Sequence, residues 1–118
     1  MLQNNIKYLP NDHVPELAGV YILEDTESGH VYIGSSINMR SRIAHHRSLL
    51  QMNKHPNKQL QALFLEGNLI FKVLVSFPVP DKHKVKEAEQ LFIEASPALF
   101  EQELVNRKPA RAFHLINH

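Results

Sequence analysis

Residues 28–65 carry Arg40, Arg42, Arg47, Lys54 and Lys58 and no Asp or Glu. Two tripeptides stand at the head of this stretch, Gly19-Val20-Tyr21 and Tyr32-Ile33-Gly34. Tyrosine hydroxyls beside a cluster of cations are a means of holding a phosphodiester. The cations attract and orient the anion, and the phenolic oxygens hydrogen-bond to it or to a water. The segment carries +5 before its four histidines are counted, against −4 for the remainder, so the total of +1 conceals a local positive potential suited to a polyanion. On charge alone, a solvated basic helix face is an equal explanation.

Three further positions bear on chemistry. Glu89 lies four residues after Val85 and three before Phe92, which places it at the border of a helical apolar face; Glu87 and Glu94 point away among polar neighbours. A carboxylate beside a core needs a paired cation or a metal, and Mg2+ commonly takes one or two carboxylates and keeps several waters. Arg42 and His46 are an i, i+4 pair. Arg42 can fork onto a phosphate, and His46 can hold a water or a tyrosine hydroxyl. Each of these has a plainer account: Glu89 as an ion-pair partner, His46 as an ordinary helix histidine, Tyr21 and Tyr32 as core aromatics. His45, His46 and His55 raise the question of zinc, but Cys is absent and the spacing completes no zinc motif.

The elements that must position these residues follow from periodicity. Val20–Leu23 and Val31–Ile33 are short β-branched and aromatic runs, and Glu24–His30, with Ser28-Gly29, is a turn sequence. The two runs form a hairpin with Val20, Ile22, Val31 and Ile33 on one face and both tyrosines on the other. With the turn centred between Thr26 and Glu27, Tyr21 and Tyr32 sit directly across from each other; a one-residue slip separates them. Asn38 caps a helix to about Met52 with the seam Met39, Ile43, His46 and Leu50. Pro56 opens a second helix through Gln59, Leu60, Leu63 and Phe64, closed by Gly67. Leu69 to Phe77 alternates as a third strand, ended by Pro78 and Pro80. Asp81 caps a third helix over His83–Ala95, with the seam Val85, Ala88, Phe92 and Ala95, and a short helical segment after Pro97 leads to Asn106. The order ββααβα predicts an α+β fold with a small, three-stranded, mostly antiparallel sheet flanked by helices.

At 118 residues the chain is expected to be one domain with a modest core. The expected organisation is an N-terminal extension over 1–17, packed on the domain edge or loose, a domain over 18–108 and a tail over 109–118. The absence of Cys excludes disulfides and thiolate metal sites. The first ten residues lack a secretory pattern, and no apolar run has the length of a membrane span. The expectation is a cytoplasmic protein without a membrane partner.

Taken as an ordered set, these residues resemble the GIY-YIG nuclease family over roughly residues 18–108. Gly19-Val20-Tyr21 is similar to the first family motif with Val in place of Ile, and Tyr32-Ile33-Gly34 matches the second, followed by Ser35-Ser36. Arg42 and His46 fall where the family places an arginine and, four residues on, a histidine. Glu89 stands three residues before Phe92-Ile93, as the family's metal-binding glutamate stands before an aromatic–Ile pair, and Asn106 matches a late asparagine.

The resemblance implies hydrolysis of DNA phosphodiesters with one Mg2+ or Mn2+ at Glu89. It implies that Tyr21 deprotonates the attacking water, directly or through His46, that Tyr32 positions that water or Tyr21, and that Arg42 neutralises charge developing on the phosphate. Gly34 is expected to let the backbone turn tightly into the helix. Arg40, Arg47, Lys54, Lys58, Lys72 and Asn106 are candidate DNA contacts that position without reading sequence. Such a stand-alone domain suits a phage, a mobile element or DNA repair. Its targeting would come from the domain itself, a homodimer or a separate DNA-targeting protein. The alternative is a nucleic-acid-binding or assembly module with this fold and no turnover.

Overall fold

The computed structural model describes residues 4–100, with side chains through Ser96. The elements are β1 (Ala18–Asp25), β2 (Val31–Ser36), α1 (Met39–Gln51), α2 (Lys58–Glu66), β3 (Leu69–Phe77) and α3 (Lys82–Phe100), with a 3-10 turn at Asn11–His13. The expected α+β order is thus the observed one. The strands form one antiparallel sheet in the order β2-β1-β3. β1 is central and buried along nearly its whole length.

The sheet separates two apolar clusters. Tyr21, Leu23, Leu69 and Phe71 pack with Met39, Ile43 and Leu50 of α1 and with Leu60, Leu63 and Phe64 of α2. Val20, Ile22, Val31 and Ile33 pack with Ala88, Phe92 and Ile93 of α3. The face assignment of the hairpin therefore holds. Its register differs from the expected one: Tyr21 pairs with Gly34, and Tyr32 pairs with Leu23. The turn is carried by Gly29 at φ 81°, whose N–H donates to the Asp25 carbonyl. That centres the hairpin one residue later and offsets the tyrosines by two places along the same face.

Four other expectations shift. Asn57, not Pro56, caps α2, its side chain accepting from the Leu60 N–H; Gly67 closes the helix in the left-handed region at φ 106°, as expected. The alternation of β3 is broken by an irregularity where Val20 pairs with Val75 and Tyr21 with Val73. Leu69 and Phe71 consequently face α1 and α2, while Leu74 and Val75 pack on the α3 side. The α3 seam uses Ile93, not Ala95, which is exposed. The helix also runs through position 97 to Phe100. Proline there has no N–H for the Ile93 carbonyl, and the Ser96 hydroxyl donates to that carbonyl at 2.9 Å.

The N-terminal segment contributes to the core. Ile6, Leu9 and Val14 are buried among the α1 and α2 side chains. The N–H groups of Met39 and Arg40 donate to the carbonyls of Leu17 and Pro15, so this segment also satisfies first-turn donors of α1. Among the described residues no helix is long and apolar enough to cross a membrane.

Candidate active site

Tyr21 lies midway along the central strand and is 1% exposed. Its ring crosses Gly34 on the neighbouring edge strand. A Cβ at Gly34 would come within 2.5 Å of the Tyr21 Cζ and hydroxyl oxygen. Gly34 belongs to strand β2, so the expected role in a tight turn is replaced by a steric one: the missing side chain is the space the tyrosine occupies.

The Tyr21 hydroxyl is 2.8 Å from Nε2 of His46, which α1 projects from its apolar seam. His46 Nδ1 lies 2.9 Å from Nε2 of His55, and His55 Nδ1 accepts the Asn57 backbone N–H at 3.0 Å. This chain of contacts has a fixed direction. An amide N–H can only donate, so neutral His55 carries its proton on Nε2 and donates to His46 Nδ1. His46 then carries its own proton on Nε2 and donates to the Tyr21 oxygen. The His55 backbone is held in turn by Gln61, which accepts from its N–H at 3.1 Å and donates to the Leu50 carbonyl at 3.0 Å.

Burial decides the charge states. It pushes His46 down to about 3, helped by His55, Arg42 and His45, so His46 is neutral at neutral pH. Burial holds the Tyr21 phenol well above its ordinary range, and Tyr32 and Glu89 push the same way, while Arg42 opposes them. A stability prediction follows for His46. The unfolded chain protonates this histidine below about 6.5, whereas the folded protein leaves it neutral to about 3. The unfolded state thus binds the extra proton within that window. The His46 contribution is complete above 6.5 and declines at about 1.4 kcal/mol per pH unit on acidification toward 3. Thermal midpoints followed from about pH 7 to about pH 4 should show this acid slope, and His46→Gln should flatten it. An equal slope in the variant would mean that other groups carry the acid lability.

Glu89 enters from α3, on the opposite face of the sheet, and meets the site at the edge strand. Ser35 Oγ donates to Glu89 Oε1 at 2.5 Å, and Lys86 Nζ lies 3.4 Å from the same oxygen. Consecutive residues of a strand point to opposite faces, so β2 serves both: Gly34 receives Tyr21, and Ser35 holds Glu89. Together Tyr21, Tyr32, Gly34, Ser35, Arg42, His46, Lys86 and Glu89 line an open pocket of about 110 Å³. Among the described residues Glu89 is its only carboxylate, and the other side-chain oxygens are hydroxyls. One carboxylate with room for waters fits Mg2+ or Mn2+. Among the described residues no three His, Cys, Asp or Glu side chains gather as an all-protein metal cage.

Of the residues singled out from sequence, Tyr21, Tyr32, Gly34, Arg42, His46 and Glu89 meet here. Others do not. Arg40 donates through Nε to the Val14 carbonyl at 2.8 Å and pairs with Glu16 at 3.3 Å. Arg47 donates to the Leu9 carbonyl and to Asn11 Oδ1, both at 2.6 Å. Both arginines pin the N-terminal segment to α1. Lys72 pairs with Glu24 at 3.1 Å. Lys54 and Lys58 are exposed around the α1–α2 connection, outside the pocket. Asn106 lies outside the described residues. Sequence reasoning missed Ser35, Lys86 and the positioning part of His55. Ser35 carried a signal, a hydroxyl directly after Tyr32-Ile33-Gly34; His55 sits in a connection and has no periodicity to betray it.

The family model described as the GIY-YIG catalytic domain matches residues 17–102. Among solved structures, the catalytic domain of the homing endonuclease I-TevI aligns with a TM-score of 0.62 at 21% identity, covering 75% of this chain and 98% of that one. A mutant of the catalytic domain of intron endonuclease I-TevI aligns with a TM-score of 0.61 at 21% identity, over 75% and 93% of the two chains. At that identity the likeness concerns the fold. No curated protein gives a significant match.

Proposed function

The chain belongs to the GIY-YIG catalytic domain family, and from that premise we propose that it is an endonuclease hydrolysing DNA phosphodiesters with one divalent cation, Mg2+ or Mn2+, held at Glu89. The observation that carries this reading is the meeting of Tyr21, Tyr32, Arg42, His46 and Glu89, from four different elements, in one open pocket. The proposed catalytic unit spans residues 18–108, with the segment before it as support for α1.

When bound, the cation supplies Lewis-acid polarisation of the scissile phosphate and stabilisation of the departing 3′ oxygen. The chain's own residues supply the rest. Ser35 fixes the Glu89 carboxylate by its hydrogen bond. Arg42, exposed at the pocket wall, meets the phosphate and offsets the charge that grows on it. Tyr21, once its own proton has passed to solvent through the open pocket, accepts the proton of the attacking water as the phenolate, and Tyr32 orients that water. His46 is the donor to Tyr21, not its acceptor, because both its ring nitrogens are committed: Nδ1 to the His55 proton and Nε2 to its own. A donor aimed at the phenolic oxygen favours the phenolate. The negative charge of Glu89 opposes that form, so positive charge brought to Glu89 removes one of the obstacles to Tyr21 acting as base. Lys54 and Lys58 are left to contact flanking phosphates.

Incubation with supercoiled plasmid tests the reading. Nicked circles should accumulate in Mg2+ or Mn2+ and not in EDTA. DNA retention by the protein with no cleavage in either metal would instead favour a binding module.

A further inference from the structure

Lys86 belongs to neither tripeptide nor to the arginine–histidine pair, yet its side chain lines the pocket. It stands one helical turn before Glu89, with Nζ 3.4 Å from the carboxylate oxygen that also receives Ser35. Of the three lysines at the start of α3, Lys82, Lys84 and Lys86, only the last reaches the pocket. The side chain is 68% exposed. An ion pair that open to water adds little to stability, so fold stability does not explain its placement. Its effect on what the carboxylate can bind is larger in kind. A divalent cation at Glu89 would be brought beside an ammonium already paired with one oxygen of the same carboxylate, and like-charge repulsion favours the ammonium's departure. The long stem of an exposed lysine lets it turn away at small cost. The pocket also offers it another anion: with Arg42 on α1 and Lys86 on α3, a phosphate entering there would meet cations from two different elements.

We propose that Lys86 is a positioning residue with two partners in sequence. It occupies the Glu89 carboxylate in the free protein, weakening divalent-cation binding, and turns to the DNA phosphate when the cation takes Glu89. This rests on the reading of Glu89 as the metal ligand. Site loading and DNA engagement are thereby coupled: the phosphate gives the displaced ammonium a partner, so cation and DNA favour each other.

The test uses the full chain and Mn2+ alone, with free Mn2+ followed by electron paramagnetic resonance. Lys86→Met keeps most of the stem and removes the charge; it should bind Mn2+ about three- to five-fold more tightly than the native protein. Lys86→Arg should not, and Glu89→Gln should lose the site. In a second measurement, binding of a short DNA duplex in Ca2+ across a salt series, Lys86→Met should show a log–log slope shallower by about one. Native Mn2+ affinity in Lys86→Met, with the site still lost in Glu89→Gln, would overturn the proposal and leave the metal reading standing. Mn2+ binding indifferent to Glu89→Gln would overturn both. A tighter Mn2+ site with an unchanged salt slope would overturn the transfer to phosphate.

Discussion

Glu89→Gln should lower metal-dependent plasmid nicking by about three orders of magnitude, equivalent to about 4 kcal/mol of transition-state stabilisation, while leaving the fold standing. The glutamine carbonyl can still accept the Ser35 hydroxyl, so the buried Ser35 keeps a partner. What disappears is the only carboxylate that the described residues bring to the pocket. Alanine would be a poorer test, because it also orphans Ser35. The checks are initial nicking rates in Mg2+ and Mn2+ beside a thermal midpoint. A variant within ten-fold of the native rate would remove Glu89 from the metal site, and with it the one-metal scheme.

Gly34→Ala should be nearly as damaging to nicking, at about 10²-fold or more, although alanine brings no charge and no hydroxyl. Its Cβ would lie 2.5 Å from the Tyr21 ring and hydroxyl oxygen, far inside contact distance. Neither partner can yield easily: Tyr21 is fixed in the central strand and packed against Phe71, and Gly34 is its ladder partner. The ring must swing away, and the 2.8 Å contact with His46 is lost. Overpacking of this kind costs about 1–3 kcal/mol, so a midpoint lowered by several degrees is expected alongside the activity loss. Tyr21→Phe separates the two effects, since it removes the hydroxyl with little change of shape. It should match the activity loss of Gly34→Ala with a smaller loss of stability. Native-like nicking by Gly34→Ala would show that the Tyr21 hydroxyl need not stand where this packing places it.

Much of this arrangement is legible in the chain because it is written in short-range pattern. The α1 seam of Met39, Ile43, His46 and Leu50 follows from helical spacing, and all four are buried. The border position of Glu89 follows from the same rule applied to α3. What pattern cannot supply is which elements meet. Nothing local to Arg40 or Arg47 says that their guanidinium groups will be used on the Val14 and Leu9 carbonyls, so a count of basic residues overstates the charge available to DNA. The polar extension over residues 1–17 hides Ile6, Leu9 and Val14 among isolated apolar positions without a period. The hairpin register depended on where a glycine takes a positive φ, and Gly29 moved Tyr32 opposite Leu23. Gly34 reads as a backbone hinge until the residue across the ladder is known. His55 acquires its part only through Asn57 and His46 together.

The carboxylate of this site comes from the final helix described, whereas the tyrosines, arginine and histidines come from the first half of the chain. During synthesis, the hairpin and α1 emerge well before residue 89, and domains fold as their segments become available. A nascent chain that has already formed its tyrosine–histidine relay therefore still lacks the group proposed to hold the cation. It must await α3, which docks across β2 and β1. In an enzyme of the proposed kind, the order of translation is itself a safeguard: a product of synthesis interrupted before residue 89 lacks the carboxylate proposed to hold the cation.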